Sequence, residues 1–336
     1  MAFAVKVGLV IVTFNAERHI VRCLEAVSRQ TRPPNRVIIA DSGSSDHTVA
    51  LIDEARFRLQ LGAELLRLDG NVGFAVGNNR AVHKLGDCEL VALLNPDAFP
   101  EPQWLASLVD AADAHPEDGS FASRLMVADS NHLLDGAGDV LHVSGLVWRH
   151  GHRQPLDQVL DALIERPVFA ACAAAALYRR DDWQRTGGFD ERYFCYAEDI
   201  DLGFRLQLIG RTCRYVPEAV VHHVGSATTG AGSAFSVYHG YRNLEWTYIK
   251  NMPSRLLWRY IPLHLAAIVA QFVWFSKKGL GGSILRAKWD AIGGLGGAIS
   301  ARRTVQATRT VDTVTVRQLL DRSPLQSLFR ARIARA

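Results

Sequence analysis

The sequence has little of what would staple a small fold or build a thiolate cage. Its 336 residues hold only five cysteines, an odd number scattered at Cys23, Cys88, Cys172, Cys195 and Cys213 with no C-x-x-C pair. That excludes a disulfide framework and a Cys-based zinc site, and it suits a reducing compartment. No G-x-G-x-x-G follows the first apolar run, and no Walker A lysine stands in a glycine-rich stretch, so neither a dinucleotide oxidoreductase nor a P-loop NTPase is expected. The first apolar run, Val7 to Val12, is too short for a secretory signal and is flanked by Lys6 and by Asn15, Glu17 and Arg18; it reads as a buried strand. No internal repeat is visible.

What is present is ordinary in amount and uneven in distribution. With 48% hydrophobic and 21% charged residues, the chain is globular, not disordered, collagenous or coiled-coil. Residues 1–250 carry 24 Lys and Arg against 31 Asp and Glu, whereas residues 251–336 carry 14 against only Asp290, Asp312 and Asp321. Such asymmetry points the C-terminal segment towards an anionic surface, membrane or nucleic acid.

Short apolar runs at 5–13, 36–41, 63–68 and 89–94 read as strands, and 19–29, 47–59, 75–85 and 102–115 as helices between and after them. Parallel strands need such crossovers, so the fold class is α/β. Residues 116–168 receive no assignment. Residues 166–180 read as a small-residue strand or hairpin, 199–209 as a helix stopped by Gly210, and 212–216 and 219–224 as two short strands around Pro217-Glu218. Beyond Arg255 an apolar segment interrupted by Arg259, Pro262, His264 and Gln271 has its cleanest stretch at 261–275. That is shorter than the ~20 residues a bilayer span requires. Its aromatics beside Lys277 and Lys278 suit an amphipathic helix lying in a membrane interface; a buried core helix is the alternative.

In open α/β sheets ligands bind beyond the carboxyl ends of the strands. There the sequence places Thr13-Phe14-Asn15, then Asp41-Ser42-Gly43-Ser44-Ser45-Asp46, then Gly73 within an Asn- and Gly-rich loop, then Asn95-Pro96-Asp97. Each could be a turn or cap alone; four on one edge suggest a site. A strand-end Asp97 can hold a divalent ion that bridges the phosphates of a nucleotide diphosphate. Downstream, Glu198-Asp199 opens a helix whose N-terminal dipole favours ionised carboxylates, so a general base is plausible there. His222-His223 ends a strand, where adjacent side chains face opposite ways and at most one reaches a metal.

Together these motifs, with Gly187-Gly188-Phe189-Asp190-Glu191 and later Tyr241-Arg242-Asn243, resemble the family 2 glycosyltransferases, most closely their bacterial rhamnosyltransferase branch, over about residues 5–250. The resemblance implies a GT-A fold for 1–250, with a nucleotide-binding half (1–115) and an acceptor or catalytic half (116–250), followed by a basic helical extension (251–336). It implies inverting transfer of a sugar, L-rhamnose from dTDP-rhamnose by branch, from a nucleotide-diphosphate donor to a hydroxyl of a lipid-linked or cell-surface glycan. A UDP- or GDP-sugar donor stays open. Under it Asp199 is the catalytic base and Glu198 its neighbour; Thr13, Phe14, Asn15, Asp41, Gly73, Asn95 and Asp97 meet the donor, Phe14 stacking on the base. Asp97 and His223, with His222 as alternative, bind Mg²⁺ or Mn²⁺, and an imidazole ligand favours Mn²⁺. Asn95 replaces the first acid of the D-x-D pattern and should weaken the metal; Ser42 and Ala173 also depart from the family pattern. The expected partners are the donor, a glycan acceptor and an anionic membrane, not nucleic acid, and the expected location is the cytoplasmic face of the membrane. A non-catalytic sugar-nucleotide or membrane-binding protein and a sugar nucleotidyltransferase are the competing readings.

Overall fold

The computed structural model describes residues 5–130, 132–225 and 232–324. Its first half alternates as the sequence predicts: β1 (Val7–Thr13), α1 (Ile20–Ser28), β2 (Arg36–Asp41), α2 (Thr48–Arg58), β3 (Ala63–Arg67), α3 (Phe74–His83) and β4 (Leu90–Leu94). These strands pair in parallel in the order β4-β1-β2-β3. Side chains alternate across a strand, so Leu9 and Ile11 of β1 enter one core with Ile20, Leu24 and Leu108, while Val10 and Val12 enter another with Ala81, Val82 and Leu206. A strand covered on both faces reads as a continuous apolar run, which is why β1 is plain in the sequence.

Next come β5 (Ala98–Pro100), α4 (Trp104–Ala114), β6 (Asp118–Val127), β7 (Leu134–Gly136), β8 (Asp139–Leu141), β9 (Val147–Arg149), β10 (Arg166–Val168) and β11 (Ala175–Arg179). The stretch 116–168, unassigned from sequence, thus holds the ten-residue β6 in the middle of the sheet and the separate β8-β9 pair. The chain continues with α5 (Arg180–Thr186), α6 (Glu198–Leu208) and β12 (Thr212–His223). The two short strands expected here are one strand, with a register shift between Val216 and Val220 where Pro217 cannot donate to the ladder.

The main sheet runs β10-β12-β6-β11-β4-β1-β2-β3, with β5 on β12 and β7 on β6. Because β11 is antiparallel to both β4 and β6, the start of β11 lies at the edge where β1, β2 and β4 end. β12 runs parallel to β6 and finishes there too, with His223 opposite Ala98.

Five helices close the described chain: α7 (Ala234–Asn251), α8 (Ser254–Lys277), α9 (Gly281–Gly293), α10 (Leu295–Thr308) and α11 (Thr313–Leu319). They share a third core with the rest, in which Leu256, Val316 and Leu320 pack with Leu141, Phe169, Ile200 and Phe204. Asp321 exchanges backbone hydrogen bonds of 2.9 Å with Leu141 and Val143. The apolar segment differs from expectation. It is one 24-residue helix, long and apolar enough to cross a membrane by length and composition, with only 22% of its apolar window buried. The interruptions His264 and Gln271 do not shorten it because they face inward, both buried. The terminal Arg330, Arg332 and Arg335 lie outside the described residues.

Candidate active site

A cleft of about 740 Å³ opens at the carboxyl edge of the sheet. Thr13 and Phe14 reach it from the end of β1, Gly73 from the start of α3, Asn95 and Asp97 from beyond β4, Glu198 and Asp199 from the start of α6, and His223 from the end of β12. Asn15 and Asp41 do not line it. The Asp41 carboxylate accepts hydrogen bonds from Thr13 Oγ1 (3.0 Å), Ser44 Oγ (2.5 Å) and the Ser44 N–H (3.1 Å). Asn15 donates its N–H to Ser44 Oγ (2.9 Å) and accepts from the Ser45 N–H (2.8 Å). Both tie the loops after β1 and β2 together behind the wall of the cleft. Gly73 sits at φ 84°, and a Cβ there would lie 2.5 Å from the Phe194 ring and 2.6 Å from the Phe194 carbonyl oxygen. Only glycine lets this loop meet the segment before α6.

The paired histidines separate as strand geometry requires. His222 turns to Glu101, 3.2 Å from its carboxylate. His223, almost wholly buried, points Nε2 at Asp97 Oδ1, 3.5 Å away, and that nitrogen makes no hydrogen bond. Its Nδ1 lies 2.8 Å from Asp135 Oδ2. Burial lowers the proton affinity of the ring, but the Asp135 hydrogen bond and the charges of Asp135 and Asp97 outweigh it and raise the pKa to about 9; positive charge is favoured at this point. Asn95 Oδ1 is buried and without a partner as well. An imidazole nitrogen and an amide oxygen left unpaired beside a carboxylate fit a divalent ion, since such buried groups otherwise go unsatisfied. The carboxylate on the far side of the ring fixes the tautomer that presents Nε2.

Across the cleft, Asp199 Oδ2 accepts the Ala173 N–H (3.0 Å) and Oδ1 accepts the Ile200 N–H (2.8 Å). Helix-end stabilisation is not the whole story. Burial raises the Asp199 pKa above its ordinary value despite those donors. Glu198, more deeply buried and beside the Asp199 charge, is pushed well above the carboxylate range. Burial thus works against ionisation at both acids, and more strongly at Glu198, where the helix dipole alone would favour it.

Sequence reasoning missed three residues here, all in the unassigned stretch. Asp135, on β7, joins His223 to Arg149, 2.5 Å from its other neighbour's guanidinium. Asp139, on β8, lies with Cys172 and Asp199 in one cluster whose ligand atoms are within 4.8 Å of one another; burial first, then the Asp199 charge, pushes the Asp139 carboxyl well above its ordinary value. Arg149, at the end of β9, is the cation facing them. The run Asp135-Gly136-Ala137-Gly138-Asp139 was the available signal, two acids set by glycines as in the other site loops.

The sequence model of glycosyl transferase family 2 matches residues 9–185. The chain belongs to this family. A second model, glycosyl transferase family group 2, matches residues 152–289 of the transferase. The N-acetylglucosaminyl-diphospho-decaprenol L-rhamnosyltransferase of Mycobacterium tuberculosis is 31% identical over 244 residues, 67% of this chain and 78% of that protein. Rhamnosyltransferase WbbL of Escherichia coli K12 is 51% identical over 162 residues, 44% of this chain and 59% of the relative. Among solved structures, a mannosyltransferase of Pyrobaculum calidifontis in complex with GDP-Man and Mn²⁺ superposes with a TM-score of 0.57 at 18% identity, covering 94% of this chain and 87% of that one. The transferase is thus rhamnosyltransferase-like in sequence and has the GT-A fold.

Proposed function

We propose that this transferase moves L-rhamnose from dTDP-rhamnose to a hydroxyl of a lipid-linked glycan, inverting the anomeric centre. The observation that carries this reading is the convergence of Asp199, Asp97 and His223 on one cleft. Asp199 takes the proton of the acceptor hydroxyl; the freed oxygen pair attacks the anomeric carbon; the bond to the diphosphate oxygen breaks on the opposite face and that oxygen keeps the electrons. One base on one face gives inversion. Asp97 and His223, with Asn95 beside them, would hold Mn²⁺ or Mg²⁺, which when bound neutralises charge on the departing diphosphate. Residues 1–115 form the donor side and 116–250 the catalytic side. Asp199→Asn should lower turnover by at least about 10³-fold while dTDP binding with Mn²⁺, followed by calorimetry, stays within about twofold. Retained turnover would remove Asp199 from its role. The rhamnosyl choice rests on the relatives, two of which are rhamnosyltransferases by name. It is checked by melting the protein with dTDP-, UDP- and GDP-sugars with and without Mn²⁺: saturating ligand adds about 2.7 kcal/mol at 100 times its Kd, and a shift confined to UDP- or GDP-sugars would move the donor assignment to that nucleotide.

The acceptor side reads towards a membrane because α8 buries polar side chains while exposing apolar ones, and α9 beside it exposes apolar side chains as well. Inward, α8 sends His264 and Gln271; outward it shows Trp258, Leu265, Val269 and Phe272, and α9 shows Leu285, Trp289 and Ile292. A helix whose outer face is more apolar than its inner one suits a lipid interface, and exposed Arg255, Arg259, Lys277, Lys278 and Arg286 accompany it. Since these helices also complete the third core, cutting at 255 would unfold the chain. The suitable test is Trp258→Asp with Val269→Asp and Trp289→Asp. Binding to phosphatidylglycerol vesicles should fall by about tenfold or more while the melting curve is unchanged; undiminished binding would contradict the placement on the membrane.

A further inference from the structure

The segment entering α6 is held in a conformation its residues do not favour. Phe194 has φ 63° and ψ −65°, and the Cys195 N–H donates to the Tyr193 carbonyl at 2.7 Å, a γ-turn of the rare, strained kind. Tyr196 and Ala197 follow at φ 69° and 64°. Three non-glycine residues with left-handed backbone in a run of four is a concentration of strain that persists only where the surroundings over-determine it. Phe194, Tyr196 and Ala197 all line the cleft immediately before Glu198 and Asp199. The Phe194 carbonyl also receives the Ala75 N–H at 3.1 Å, so the same strained turn meets the start of α3 on the donor side.

The Asn243 side chain holds this segment at three carbonyls. Asn243, on α7 and wholly buried, donates Nδ2 hydrogen bonds to the carbonyls of Tyr193 (2.9 Å), Cys195 (2.9 Å) and Tyr196 (2.8 Å). Its Oδ1 accepts from Arg242 Nε (3.0 Å) and Nη2 (2.9 Å). A guanidinium cannot accept and a carbonyl cannot donate, so the orientation of the amide is fixed on both sides. The Arg242 guanidinium adds a hydrogen bond to the Tyr193 carbonyl at 3.2 Å. We propose that Asn243 is a positioning residue for the transfer reaction: it locks the 194–197 turn so that Asp199 enters the cleft at the height of the acceptor hydroxyl. Asn243 touches no substrate; its effect reaches the reaction through the backbone that carries the base. This rests on the reading of Asp199 as that base.

The test compares Asn243→Asp, which keeps the shape but removes the donor, with Asn243→Ser, which keeps one donor, in the full chain. Three readouts are taken: kcat and KM with dTDP-rhamnose, dTDP binding with Mn²⁺ by calorimetry, and amide hydrogen exchange along the chain. Because a misplacement near 1 Å costs about 100-fold, kcat should fall by about that factor in Asn243→Asp and by less in Asn243→Ser. The dTDP Kd should stay within twofold, and exchange should quicken at 194–200 but not in β1, β2 or β4. If Asn243→Asp does not fold, the serine variant carries the same comparison. A folded variant with kcat within about threefold of wild type, or one that loses dTDP binding in step with kcat, would overturn the proposal. Exchange needs no substrate, so the two failures separate: activity surviving in Asp199→Asn sinks the base assignment, whereas slow exchange at 194–200 in both Asn243 variants sinks this inference alone.

Discussion

Asn95 brings an oxygen but no charge to the group it forms with Asp97 and His223, so the site leans on Asp135 behind the imidazole. Removing that carboxylate frees the ring to turn and lowers its basicity, and Asp135→Asn should weaken Mn²⁺ binding about 10–100-fold, read from the electron paramagnetic resonance of free Mn²⁺. Affinity unchanged within twofold would mean that His223 is held without it. Asn95→Asp should act in the opposite direction by adding charge beside the ion. At this scale Asp97, Glu198 and Asp199 were legible as cleft residues because they follow a strand or open a helix at the edge where ligands of such sheets bind. Asp41 was legible as an acid at the right edge but not as a residue turned back on Thr13 and Ser44, since hydrogen bonds between loops leave no mark on spacing. Arg149 was invisible for a related reason, and Asp135 showed only in its glycine-spaced run: both belong to short strands whose pairing is set by distant partners.

Elements divide in the same way. β1, β2 and β4 announce themselves because both faces are buried in apolar cores. β6 lies equally deep but carries Asp118, Ser120, Ser123 and Arg124, which break any apolar run. Its polarity is absorbed from elsewhere: Trp104 Nε1 donates to Ser123 Oγ at 2.8 Å, and Asp118 pairs with Arg214 and accepts from Thr212, both on β12. Without Asp118, Arg214 keeps only its longer pairings with Glu117 and Glu165, both at 3.5 Å, so Asp118→Ala should destabilise the fold by about 1.5–3 kcal/mol in urea unfolding. A loss below 1 kcal/mol would show that the pair contributes nothing there. α8 inverts the usual lesson. Its interrupting polar residues made the span look short, yet His264 donates Nδ1 to the Ser144 carbonyl at 2.7 Å and sets Nε2 2.8 Å from the Glu245 carboxylate, which gives it an inward purpose and leaves the apolar residues outside.

Over the whole molecule, the acidic first 250 residues and the basic remainder are not separate bodies. α7, α8 and α9 meet at Glu245, which is bonded to His264 and paired with Lys288. Burial pushes the Glu245 carboxyl up, but Lys288 and the His264 hydrogen bond outweigh it and bring it down to about 2 from its ordinary 4.5. A carboxylate whose pKa is depressed on folding stabilises the fold above the unfolded pKa and loses that contribution as pH falls through the folded one. Wild type should therefore exceed Glu245→Gln by about 2–3 kcal/mol at pH 6, and the gap should narrow between pH 4.5 and 2; a gap independent of pH across that window would contradict the pairing. The same junction connects Asn243 on α7 to the helices with exposed apolar side chains, so Asp199, the strained turn before it and that apolar outer face are parts of one packed unit. Whether that unit performs a single displacement is decided most directly by the anomeric configuration of the product. Proton and carbon nuclear magnetic resonance of the glycan formed from dTDP-rhamnose should show the configuration opposite to that of the donor. A product with the donor's configuration would contradict transfer by one base, Asp199, on one face of the sugar.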